Sequence, residues 1–517
     1  MKKIRLATLG STTAICVALA APVLAEGVLK YGMAAQDLGT MDPHRATTTP
    51  DKPLTGWLFN GLVRFKPGSD DIGALEPDLA ESWESNEDGT VWTFNLRPGV
   101  KFHHDYGELT ADDVVFSLNR SADPDTSAFS SDYSAFELVE KIDPLTVRVT
   151  LSQSVPSFLG LVANYHGGNI VSKKAAEELG ADFATQPVGT GPFMVESYIQ
   201  QERVNFVAFP DYFRGAPKLD GIEYRYIPSD SARDLALRAG ELHVSYGRQD
   251  QEWIDSTQAT EGLIVDIMRP AELQQLHLNT ASAPLDNLEV RRAVATALNR
   301  PEYIQFIGES LAQPAGSVIP AGNLGWDDST AIYGEGDPEA ARRMLADAGF
   351  PDGIQLTMVQ TSLPTMLGVA QVAQAQLALA GIDLQLNVVD HQTFHAQIRA
   401  DRSQVVYYSA ARFPVADVFL SQFFLSDSIV MRPTASLNFS HCDVADDEIR
   451  GARAEQDEEK QRELWAKAQQ KIIEHICAVP LYEQLIAYAR HSNVDWGYEL
   501  EAQMHLGPVV TELTMID

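Results

Sequence analysis

The chain has 517 residues with 39 basic and 71 acidic side chains, a formal net charge of -32, 45% hydrophobic and 21% charged residues, and 3 cysteines. At roughly 100 to 200 residues per domain this is two to four packed domains, and the apolar content and sparse cysteines exclude both a disordered chain and a disulfide-built scaffold. So acidic a chain lacks the basic face that neutralises phosphates, which argues against nucleic acid and anionic membrane surfaces as partners.

Lys2, Lys3 and Arg5 form a basic n-region, residues 6–21 are small and apolar, and Val23-Leu24-Ala25 meets the small-residue rule for cleavage before Glu26. Residues 1–25 therefore read as a cleaved secretory signal peptide. A spanning helix needs about 20 apolar residues, and Gly10, Ser11, Thr12 and Thr13 interrupt the stretch. Lipid attachment at Cys16 is disfavoured because Ile15 stands where a small residue is wanted. Removing the segment takes three basic residues and no acidic one, so what remains is more acidic still. Of the cysteines only Cys442 and Cys477 survive processing. In an oxidising compartment they read either as a disulfide or as two buried thiols. The amphipathic segments between them, about 446–456 and 459–476, would as an antiparallel helical pair bring the cysteines together.

Along the chain, strands and helices alternate. Trp92, Phe94 and Leu96 alternate with polar neighbours, and Arg97-Pro98-Gly99 leads into Val100 and Phe102, the pattern of a β-hairpin. Thr110-Ala111-Asp112-Asp113 is a capping-box variant before Val114, Val115 and Leu118 at helical spacing. Ile222, Tyr224 and Tyr226 alternate as a strand, then Ser229 opens a helix through Ala232, Leu235, Ala236 and Ala239 that Gly240 stops. Asp337-Pro338-Glu339 begins a helix closed by Gly349, its acidic start matched to the helix dipole. Residues 364–389 read as a helix ending at Gly381 and feeding a strand through Ile382, Leu384, Leu386 and Val388, the repeating piece of α/β layers.

No phosphate loop, GxSxG elbow, HExxH or CxxC occurs, so the common signatures of hydrolysis and cofactor binding are absent and no cofactor is expected. His391 and His395 share a helical face beside Asp390, but zinc wants three or four ligands, and two surface histidines is the simpler reading. With 71 carboxylates, no acid/base pair can be singled out.

A specific run of motifs resembles the extracellular solute-binding proteins of family 5. It comprises Leu75-Glu76-Pro77-Asp78-Leu79-Ala80-Glu81-Ser82-Trp83, Asp88-Gly89-Thr90, Phe94-Asn95-Leu96-Arg97-Pro98-Gly99-Val100-Lys101-Phe102 and Leu109-Thr110-Ala111-Asp112-Asp113-Val114. The likeness continues through Gly189-Thr190-Gly191-Pro192-Phe193, Asp211-Tyr212-Phe213, Pro217-Lys218-Leu219-Asp220, Val290-Arg291-Arg292-Ala293, Asn299-Arg300 and Ala348-Gly349-Phe350-Pro351-Asp352-Gly353, which covers essentially the whole mature chain. The resemblance implies a non-catalytic periplasmic receptor that delivers a peptide or peptide-like solute to an ABC permease in the inner membrane. It also implies a monomer with an α/β, two-lobed, type II-like periplasmic binding fold, an extra subdomain and a ligand cleft between the lobes. Residues 26–275 plus 490–517 would form lobe I, with the extra subdomain around 70–190, and residues 276–489 lobe II.

The family's dipeptide binders hold the ligand ammonium with a carboxylate just before an Asp-Pro-Asp stretch and its carboxylate with an arginine some fifty residues earlier. This sequence departs at both places. The alignment puts Ala411 or Arg412 at the ammonium position and Gln360 near the upstream arginine, while a one-residue gap would restore Asp417 to the ammonium role. An arginine there favours a carboxylate or phosphate and repels an ammonium, which weighs against a free dipeptide. Arg412 reads equally as a salt-bridged structural residue. Tyr407 and Tyr408 alternate on one strand, so at most one faces the cleft, and Tyr408 is the candidate. Thr47, Thr48 and Thr49 occupy the loop where family members touch the ligand backbone, or form a plain polar loop. Trp253 and Trp326 either stack on a ligand or pack. The cargo could also be an opine, an organic anion, an oligosaccharide or a chelated metal. A secreted hydrolase would need a clustered nucleophile and base that the sequence does not present, and a chaperone or adhesin would need a broad exposed apolar patch.

Overall fold

The computed structural model describes residues 27–155, 158–327, 334–432 and 437–517, so the expected signal peptide lies outside the described residues. Its spine is a nine-stranded sheet shared by two lobes. From one edge the strands run Val405–Ala410, Leu263–Leu278, Ala478–His491, Val244–Tyr246, Val28–Met33, Gly221–Tyr226, Arg203–Ala208 and Phe193–Ile199, with Ala312–Pro314 also paired to Ala478–His491. Two of these strands are long enough to cross from lobe to lobe: Leu263–Leu278 and Ala478–His491, antiparallel to each other. Their ladder breaks midway. Met268 faces Ile486 and Glu272 faces Gln484, so the first strand carries extra chain at the crossing. A bulge of this kind bends and twists a strand.

On the first lobe, a four-stranded antiparallel sheet stands apart, ordered Ala80–Ser85, Val91–Leu96, Thr146–Leu151 and Phe136–Asp143. Across it lies the helix Ala111–Ala122, started as its sequence predicts. The Thr110 backbone N–H donates to the Asp113 carboxylate at 3.0 Å and its hydroxyl donates at 2.9 Å. The hairpin expected over residues 91–102 is different. Val91–Leu96 pairs with the preceding Ala80–Ser85 and with Thr146–Leu151, and Val100 and Phe102 belong to no strand. The two apolar side chains are buried in the loop itself, and core burial there imitates strand periodicity.

The helices Asp230–Arg238 and Pro338–Asp347 are both N-capped as expected: Ser229 accepts from Ala232 and Asp337 from Ala340. Ile354–Thr361 and Ile382–Val389 form a parallel pair joined by the helix Pro364–Leu379, and Gly381, at φ 80°, makes the turn back into the sheet. The helices Asp446–Ala454 and Glu458–Glu474 form the expected antiparallel pair, and the sulfurs of Cys442 and Cys477 are bonded, with Cα atoms 5.8 Å apart.

One apolar core centres on Tyr31, Trp57, Tyr224 and Tyr488, whose rings pack at 5.3 to 5.8 Å. A second gathers around Leu356, Leu384, Tyr303 and Tyr482. No helix among the described residues is long and apolar enough to cross a membrane.

Candidate functional site

The lobes touch where the chain leaves the strand Val405–Ala410. There Phe413 packs over Gly160 of the first lobe, its ring occupying the space that a side chain at Gly160 would need, and lies 5.6 Å from the Phe65 ring. Glycine is required at this contact because a Cβ would overlap the ring. Beside it, Gln422 spans the junction: its amide donates to Asp132 of the first lobe at 3.1 Å, and its oxygen accepts from Arg412 Nε at 2.8 Å.

Arg412 is thus held at this junction. One further N–H donates to the Ala411 carbonyl at 2.9 Å, and the guanidinium lies 5.5 Å from the Phe423 ring centre. From the first lobe comes Lys52, the first residue of the helix Lys52–Leu58, with its ammonium 6.0 Å from the Tyr165 ring centre. Burial and then the charge of Arg412 lower the Lys52 pKa to about 8, against an opposing pull from Glu272. Glu272 stands at the ladder break of the crossing strand and accepts from Ser409 Oγ at 2.6 Å. Ser409 accepts in turn from Gln274 at 2.7 Å, and Gln274 accepts from the Tyr407 hydroxyl at 2.6 Å. His166 and His505 complete the first-lobe wall. Burial is the main cause that lowers both, His505 to about 4, so both are neutral near pH 7, and each keeps a buried Nε2 without a hydrogen-bond partner. Among the described residues, none of Lys52, Arg412 and Glu272 has an ion-pair partner.

Two residues singled out from sequence point elsewhere. Asp417 is buried against the helix Asp446–Ala454, accepting from Arg453 Nε at 2.9 and 3.2 Å, so it neutralises a neighbour instead of facing the cleft. Tyr408 pairs with Gln275 and lies on the opposite face of its strand from Ser409. Its ring packs among Phe423, Phe439 and His395.

Gln360 is wholly buried near the end of its strand, with neither amide atom hydrogen-bonded. Ala411 offers only its carbonyl, to Arg412. Thr47 and Thr48 are exposed and Thr49 half-buried. Their loop serves as the lead-in to Lys52, since the Thr48 carbonyl accepts from the N–H groups of Asp51 and Lys52 at 3.1 and 3.2 Å. Trp253 is packed, donating to Asp234 at 2.6 Å. His391 and His395 approach to 3.2 Å between Nε2 atoms, and among the described residues no group of three or more potential ligands is arranged for a metal ion.

Sequence reasoning missed Lys52 and Glu272. Lys52 stands three residues beyond the threonine loop, where Lys-Pro at a helix start was the available signal. Glu272 belongs to a crossing strand without a tell-tale motif.

Residues 74–429 match the profile of bacterial extracellular solute-binding proteins, family 5 Middle. The chain is 30% identical over 474 residues to the di/tripeptide-binding protein 2 of Pseudomonas aeruginosa, covering 86% of this chain and 87% of that one. It superposes at a TM-score of 0.87 and 47% identity on the binding protein MoaA of A. tumefaciens R10 in complex with mannopinic acid, over 95% of this chain and 100% of that one. It also superposes at 0.81 and 28% identity on the ABC transporter-associated periplasmic binding protein DppA of Helicobacter pylori in complex with the peptide STSA, over 95% and 98% of the two chains. These relatives are substrate-binding proteins and not enzymes. With its two lobes and crossing strands, the chain belongs to the family 5 bacterial extracellular solute-binding proteins, receptors that bind a peptide or peptide-like solute for an ABC importer.

Proposed function

We propose that the cargo is an anionic, opine-type amino-acid conjugate, clasped between the lobes through its carboxylates. The observation that carries this reading is a pair of cations, Lys52 from one lobe and Arg412 from the other, close enough for the second to depress the pKa of the first and, among the described residues, neither in ion-pair contact with a carboxylate. Desolvating a charge is costly unless an opposite charge meets it, and a ligand carboxylate supplies one. The likeness to a mannopinic acid receptor supports the same chemistry. That compound joins glutamate to a sugar-derived polyol through a secondary amine and so carries two carboxylates. An arginine, Arg412, at or beside the position where the resemblance places the ligand ammonium in dipeptide binders argues against a free dipeptide.

Closure follows from differential contact. A solute seated on Lys52 gains Arg412 only when the lobes meet, and it shifts the open-closed equilibrium by that difference in affinity. In this reading the lobes divide at the ladder break in the crossing strands, near residues 268–272 and 484–486. The protein is exported by cleavage after Ala25, works in the periplasm as a monomer, and hands the ligand on unaltered, without catalysis.

Calorimetric titration tests this. Mannopinic acid is expected to bind more tightly than any di- or tripeptide, and Arg412→Ala to weaken it about tenfold or more, the loss of one charge-assisted contact. Tighter peptide binding, or an unchanged affinity in Arg412→Ala, would overturn it.

A further inference from the structure

We infer that Glu272 reads a basic nitrogen on the cargo, so that the cleft selects zwitterions over plain anions. This rests on the carboxylate reading of Arg412 and Lys52 and adds a second requirement. Three observations carry it.

Glu272 is the one member of the charged trio with negative sign, and among the described residues it has no ion-pair partner. It is near enough to Lys52 to raise its pKa, so it shares the cleft with the anion-binding group. One of its oxygens, Oε2, is engaged by Ser409 Oγ at 2.6 Å, and Ser409 is held by Gln274, which is held by the Tyr407 hydroxyl. A chain of hydrogen bonds running back into the lobe core orients the carboxylate and leaves Oε1 for a donor. Such bracing is what a recognition group needs and a solvated surface glutamate lacks.

The alternative, that Glu272 merely balances Lys52, makes no distinction between cargoes. The two readings therefore differ in a measurable way. Position matters as well: Glu272 stands at the ladder break between Met268 and Glu272, where the crossing strand bends from one lobe to the other. A nitrogen held there is anchored to the connection between the lobes, while its carboxylates reach the residues that move.

The test uses the exported chain and paired probes: mannopinic acid and its N-acetyl derivative, and a tripeptide and its N-acetyl derivative. Acetylation keeps every carboxylate and removes the basic nitrogen. The natural protein is expected to prefer the free amine of its better-bound pair by about tenfold or more, as for a charge-assisted hydrogen bond. Glu272→Gln is expected to erase most of that preference while still binding the N-acetyl probe, and Glu272→Asp to retain the preference. The N-acetyl affinity also reports that the variant is folded. A preference that survives in Glu272→Gln overturns this inference alone. Failure of all four probes to bind the natural protein overturns the anion reading and this one with it.

Discussion

At the scale of single residues, the proposed site rests on three charges, Lys52, Arg412 and Glu272, none of which makes an ion pair among the described residues. Lys52 is faced by Arg412, Glu272 and the Tyr165 ring, with His166 and His505 neutral beside it. Its pKa of about 8, lowered by burial and by Arg412, sets a pH dependence. Below that value the ammonium is already formed and anion affinity is flat. Above it, binding must take up a proton, so affinity falls by up to about tenfold per pH unit until the pKa of the complex is reached. Titrations with N-acetylated mannopinic acid, whose nitrogen takes up no proton, from pH 6.5 to 9.5 should show this fall, and Lys52→Met should bind that probe weakly with no fall in the same range. A natural profile flat to pH 9.5 would remove Lys52 from the site. By contrast, Asp417 carries a charge of equal size that Arg453 neutralises. The sequence could not distinguish these cases, since a charged residue looks the same whether its partner is a neighbour, a ligand or absent.

Among elements, the local signals were strong wherever they were chemical. The capping box at Thr110, the Ser229 and Asp337 caps and the glycine stop at Gly381 lie where their residue types require them. Periodicity was the weaker guide: Val100 and Phe102 keep a strand's spacing yet belong to a buried loop. The helical pair Asp446–Ala454 and Glu458–Glu474 brings its flanking cysteines to 5.8 Å between Cα atoms, and the bond closes a loop with a sequence separation of 35. By the loop-entropy relation this stabilises the fold by roughly 3 to 4 kcal/mol. Replacing both Cys442 and Cys477 by serine should lower the melting temperature of the exported protein by several degrees, read by calorimetry, and added reductant should lower the natural protein toward the same value. Equal melting temperatures would show that the helical pair needs no staple.

For the whole molecule, function depends on two lobes meeting. Phe413 fits over Gly160, so Gly160→Ala places a methyl group where the ring lies and should hold the lobes apart. Small-angle scattering of the natural protein should show a smaller radius of gyration on saturation with ligand. The variant should keep the larger radius and bind at least tenfold more weakly, while melting without ligand near the natural value. Moving such a population from 1:99 to 99:1 takes about 5.5 kcal/mol of differential binding, and the second-lobe contacts of Arg412 are the source assigned to it. Closure of Gly160→Ala to the natural radius would displace this contact from the switching interface.

The sequence by itself determined the α/β alternation, the helix ends, the export segment as an expectation and, through the motif run from Leu75 to Val114, the family. These are properties of contiguous residues, and local chemistry is legible in order along the chain. Only the tertiary structure decided which charges meet. Lys52, Glu272 and Arg412 are separated by more than a hundred residues each and converge through a strand crossing and a lobe contact. The same packing turned Tyr408 and Asp417 away, because the face a strand residue presents and the partner a carboxylate finds are set by what the rest of the chain brings alongside.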